Sequence, residues 1–191
     1  ILTIPIDLLA ELEDIVADPK KYSAQVLKLR NYAEYLDGQV SEVALEISVR
    51  ALSPAESARL AGLVRISKLA QVLADQTGEL VEVVHRIQDR GITLAPASQA
   101  ALEHSLIPCS MNLKTLAEAF PSLSDSVNEA MRRQDDLLRE TITRQYGQYL
   151  DRFAARRTPS GTEFSRALFQ IESMAGTIRE IRKTTRMLGE S

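Results

Sequence analysis

The feature that most constrains this chain is a run of apolar residues at alternating spacings of three and four. Val26, Leu29, Ala33, Leu36, Val40, Val43 and Ile47 follow one another in that rhythm. A helix carries such residues on one stripe, and the stripe is buried when a neighbouring helix runs almost parallel to it. Gly38 lies inside the run, where it costs about 1 kcal/mol relative to Ala without breaking the pattern.

The same signal recurs along the chain, broken by capped turns. Upstream, Ile6, Leu8, Leu9, Leu12, Ile15 and Val16 give a short apolar helical face, with Pro5 and Pro19 as first-turn prolines. After Leu52, Ser53 is a good N-cap, Pro54 suits the first helical position, and Glu56 stands where a capping box needs an acid. Leu60, Leu63, Leu73, Leu80, Val84 and Ile87 then extend a third helix to about Asp89. Gly91 to Pro96 interrupts the pattern and marks a boundary. A fourth helix is expected from Ser98 to Ala119, kinked by Pro108, and ended by Phe120-Pro121-Ser122. Ser124 or Asp125 caps a long fifth helix through Val127, Met131, Leu138, Ile142, Leu150 and Phe153. Thr158 to Thr162 reads as a turn, and a last helix runs through Phe164, Leu168, Ile171, Met174, Ile178, Ile181 and Met187.

These elements predict an all-α fold, an antiparallel helical bundle built from two tandem three-helix units. The first unit spans residues 1–90, the second 97–191, and 91–96 links them. Each unit has two helices of roughly 30 residues, about 45 Å long, joined by a short turn that makes them antiparallel.

Charge and motif content narrow the function. The formal net charge of −3 gives no electrostatic footprint for nucleic acid. The basic clusters at Arg132-Arg133, Arg156-Arg157 and Arg179 to Arg186 read as solvated helix faces or as favourable charge near helix C-termini. Cys109 is the only cysteine, so no intrachain disulfide forms and a buried apolar role is expected. No apolar run reaches the roughly 18 residues of a membrane helix, and the chain opens on Ile1 rather than Met, as a piece of a longer protein would. With His85 and His104 as the only histidines, no zinc spacing is available, and phosphate-loop and nucleophile-elbow motifs are missing. No enzyme activity is expected. The remaining chemistry lies in helical carboxylates: Asp37, Asp75, Glu79, Asp136, Glu140 and Glu172. Acids projecting into a bundle are a known way to hold metal clusters.

The third helix reads Arg65-Ile66-Ser67-Lys68-Leu69-Ala70-Gln71-Val72-Leu73-Ala74-Asp75, and the sixth reads Arg166-Ala167-Leu168-Phe169-Gln170-Ile171-Glu172-Ser173-Met174-Ala175-Gly176. With the Leu52-to-Ser57 turn and the Tyr35-Leu36-Asp37 segment, this pattern resembles the PhoU-like domain in the cytoplasmic tail of bacterial sodium/phosphate cotransporter-family proteins. That family carries an acid-x-x-x-Asp motif in each third helix, and its acids hold iron or zinc. Here Asp75 matches the second position of the first motif, whose first position is Gln71. Glu172 matches the first position of the second motif, whose last position is Gly176. The resemblance implies metal positions at Asp75 and Glu172, with Asp37 and Asp136 as further ligands. It also implies a regulatory or accessory role in phosphate transport at the cytoplasmic side of the inner membrane. The partner would be the membrane transporter domain of the same parent chain or another protein, and a homodimer is compatible with it. The alternative is a structural or dimerising helical module of a signalling protein, which the breaks at Ser53-Pro54 and Pro159 disfavour as one continuous coil.

Overall fold

A computed structural model describes residues 2–17, 24–153 and 159–190. They form six helices: α1 (Thr3–Ala17), α2 (Ala24–Ser48), α3 (Pro54–Asp89), α4 (Pro96–Ala119), α5 (Asp125–Phe153) and α6 (Pro159–Glu190). No strand occurs among the described residues. The expected position of Pro19 and the contacts of Leu150 and Phe153 fall outside them.

The ends form where the local chemistry directs. The Ser53 hydroxyl accepts from the Glu56 backbone N–H, and the Glu56 carboxylate accepts in return from the Ser53 backbone N–H at 2.8 Å. This closed capping box satisfies donors that an open helix start leaves bare. After α3, Gly91 takes a φ of +60°, a conformation that side chains with a Cβ rarely adopt, and the chain turns there. Pro96 and Pro159 are each the first residue of a helix. The stretch from Pro159 to Thr162 is therefore helical rather than the expected turn: its Pro, Ser and Gly look like turn residues, but Pro is favoured at a first helical position.

α3 and α6 lie against each other antiparallel and form the spine. Gly62 meets Leu188 at one end, Gln76 receives a hydrogen bond from Thr177 near the middle, and Arg90 reaches Glu163 at the other end. Leu73, Ile171, Met174 and Ile181 are fully enclosed along this seam. The other contacting pairs are α1 with α2, α3 and α4; α2 with α3; α4 with α5 and α6; and α5 with α6. α1, though short, buries Leu8, Leu9 and Leu12 completely.

The stripe on α2 is buried over only part of its length. Val26 and Ala33 are enclosed and Leu29 and Leu36 pack against the core, but Val43 is 53% exposed. The reason is geometric: α2 runs antiparallel to α3, with Arg30 opposite Asp75 and Asp37 opposite Lys68. α3 itself is mostly exposed before Ile66, because its partner α6 reaches no further than Gly62. The hairpin tip thus projects beyond the bundle.

Gly38 lies on the exposed face of α2 with nothing near the position a Cβ would take. Gly38→Ala should raise the unfolding free energy by about 0.5–1 kcal/mol in urea titration, since Ala restricts the unfolded chain and meets no neighbour. A loss of stability would contradict the exposed placement of this face.

Candidate functional site

The two motif helices are α3 and α6, but their acids do not converge. Asp75 sits on the α2–α3 seam, where Arg30 Nε donates to its Oδ1 at 2.7 Å. That bond is the main reason the Arg30 guanidinium is held above its usual range. Asp37, two turns along α2 from Arg30, faces Lys68 at 3.7 Å. Glu172 and Asp136 are exposed, on α6 and α5. Glu79, one turn from Asp75, accepts instead from Gln170 of α6 at 2.8 Å.

An iron or zinc centre needs about four donors converging on one point. Among the described residues no group of three or more His, Cys, Asp or Glu side chains is placed to hold a metal. The four acids that the motif resemblance selected do not fit such a centre: two are engaged by cations and two face outward.

The acid that does point inward is Asp135, the neighbour of Asp136. It lies between α4, α5 and α6, where Asn112 Nδ2 donates to its Oδ1 at 3.0 Å. Arg182 Nη2 and Arg179 Nε approach its Oδ2 at 3.4 and 3.7 Å. Arg182 also donates to the Asn128 side-chain oxygen at 2.9 Å. Asn112, Asn128, Asp135 and Arg182 are all buried. Burial pushes the Asp135 carboxyl above the usual carboxylate range despite the two arginines, and burial likewise pulls Arg182 down. Both shifts have one cause: removing the charges from water outweighs what the pair regains. A carboxyl held high contributes stability below its ordinary value and loses that contribution as pH rises through the raised value.

Sequence reasoning missed this cluster, taking Asp136 for the inward acid and the Arg179-to-Arg186 stretch for a solvated face. The signal was present. Met131, Leu138 and Ile142 leave a gap in the three–four rhythm that Asp135 fills, whereas Asp136 is turned about 100° away from that stripe. Cys109 behaves as expected: it is buried, and burial pushes its thiol up to about 12.

No protein-family model matches this chain, and neither a curated protein nor a solved structure was found to match it. Among the described residues no helix is long and apolar enough to cross a membrane.

The two acids should differ sharply in weight. Asp135→Ala leaves Arg182 buried without its carboxylate and should cost about 3–5 kcal/mol. Asp75→Ala breaks a half-exposed pair and should cost less than about 1 kcal/mol. Urea unfolding of both variants checks this, and equal losses would contradict the burial assigned to Asp135.

Proposed function

We propose that this chain is a PhoU-like domain, two three-helix units at 1–90 and 97–191 joined by 91–96. In this reading it serves as a regulatory or accessory domain of a sodium/phosphate cotransporter-family protein. The observation that carries the proposal is an equivalence of buried positions. At one constant spacing, Ile66, Ala70, Leu73, Ala74, Leu80 and Ile87 of α3 pair with Ala167, Ile171, Met174, Ala175, Ile181 and Leu188 of α6, all buried. The same spacing aligns Gln71 with Glu172 and Asp75 with Gly176. At another spacing Ile4, Leu9, Leu12 and Val16 of α1 pair with Ala101, Leu106, Cys109 and Leu113 of α4. On α2 and α5, Val26 and Ala33 pair with Met131 and Leu138.

The helix contacts have the same symmetry. Within each trio every helix touches the other two, and the trios meet through like with like, α1 on α4 and α3 on α6. Such contacts are those that two copies of one unit related by a two-fold axis would make, which supports the two-unit reading.

The role is binding rather than catalysis. The projecting α2–α3 tip leaves Leu45 and Val49 at 69% and 85% exposed. Apolar side chains so placed suit contact with a protein surface, here the transporter domain on its cytoplasmic face. A docked bundle alters transport only by binding one transporter state more tightly than another.

The test is sodium-dependent uptake of radiolabelled phosphate by cells carrying the parent gene, intact or with this segment deleted. Deletion should change uptake by about fivefold or more, the low end of ordinary coupling between sites. Unchanged uptake, with the shortened transporter present in the membrane in equal amount, would remove the phosphate-related role.

A further inference from the structure

At the end of the spine away from Gly62, residues of α3, α5 and α6 line an open groove of about 650 Å³, within the size range of small-molecule sites. Its lining carries both signs of charge. Along α3, Glu79 lies towards one end and Arg86 towards the other, with Glu82 between them and 4.0 Å from Arg86; Arg166 of α6 also lines it. Along α3, Glu79 and Arg86 are two helical turns apart, about 10 Å. Phe169, 59% exposed although its neighbours Ala167 and Leu168 are fully buried, forms an apolar wall between them.

The basic end holds more charge than the fold requires. Glu163, 2% exposed, faces three guanidiniums: Arg166 Nη1 at 3.2 Å, Arg90 Nη1 at 3.3 Å and Arg86 Nε at 3.6 Å. Glu163 neutralises one of the three and Glu82, 4.0 Å from Arg86, a second, so one positive charge remains over. Arg86 Nε and Glu163 Oε2 are both buried, face each other beyond good hydrogen-bond length, and have no other hydrogen-bond partner among the described residues. The Arg86 fork is therefore not locked onto Glu163, and guanidinium forks match carboxylate or phosphate groups bidentately. At the other end one Glu79 oxygen accepts from Gln170.

We propose that this groove binds a small dipolar molecule, its anionic group on Arg86 and Arg166, its ammonium on Glu79, and its apolar middle against Phe169. An anion alone meets the two glutamates and a cation alone meets the arginines, so the groove selects for both charges on one short chain. The inference does not depend on the phosphate-transport reading.

The probe is 6-aminohexanoate, a flexible apolar chain with a carboxylate at one end and an ammonium at the other. Hexanoate and hexylamine serve as single-charge controls, and calorimetric titration of the full chain gives the affinities. The expected result is one saturable site per chain, with each control weaker by about tenfold or more, the effect of losing a charge-assisted contact. Arg166→Gln should weaken 6-aminohexanoate and hexanoate while leaving hexylamine unchanged. Glu79→Gln should weaken 6-aminohexanoate and hexylamine while leaving hexanoate unchanged. Both side chains are exposed, and circular dichroism confirms that each variant keeps its helix content. Absence of saturable binding, a control that matches the dipolar probe, or variants without the crossed pattern would each overturn the proposal.

Discussion

The antiparallel contact between α3 and α6 is the constraint on which the other parts of the molecule depend. It brings Leu73 and Ile171 into full burial, fixes where α1 and α4 meet across the centre, and determines how much of each outer helix has a partner. Where the spine stops, burial stops: beyond Gly62 and Leu188 the α2–α3 hairpin continues with only its own two helices in contact. The exposed apolar tip is a consequence of a spine that stops short of the start of α3.

On the proposed two-unit reading, the halves share a pattern of burial but fill it with different chemistry. In α1 the inward positions are Leu8, Leu12 and Ile15; at the matching places α4 has Ser105, Cys109 and Asn112. On the adjoining seams the charges are reversed. Arg30 of α2 meets Asp75 of α3 near the surface, whereas Asp135 of α5 meets Arg182 and Arg179 of α6 inside. A half-exposed pair contributes little to stability, while a buried one constrains which residues can lie beside it. The second half therefore has its packing specified by polar complementarity as well as by shape.

Much of this was legible in the sequence, for identifiable reasons. The Ser53-Pro54-Glu56 start acts through local hydrogen bonds, so three residues were enough to place it. The end of α3 at Asp89 followed from the loss of rhythm before Gly91. Burial beyond Leu36 on α2 was not legible, because Val43 carries the right rhythm but the length of its partner is a tertiary fact. Asp135 and Arg182 were missed since charged residues on a helix are usually solvated, and only the apolar gap between Met131 and Leu138 showed otherwise. The metal positions were inferred from a motif that keeps one acid of two in each copy, and those acids are found in ion pairs or at the surface.

The direction of the spine is the most exposed part of the account, and a disulfide tests it. A Cβ built at Gly62 falls 2.6 Å from a Leu188 methyl carbon, so cysteines at these two positions lie close to bridging distance. Cys109 is enclosed and does not compete. Gly62→Cys with Leu188→Cys should form an intramolecular disulfide under mild oxidation, seen as a faster-migrating monomer that reductant reverses. Gly62→Cys with Ser165→Cys, at the far end of α6, should not. Bridging of the second pair and not the first would mean that α3 and α6 run parallel, and the central claim would fail.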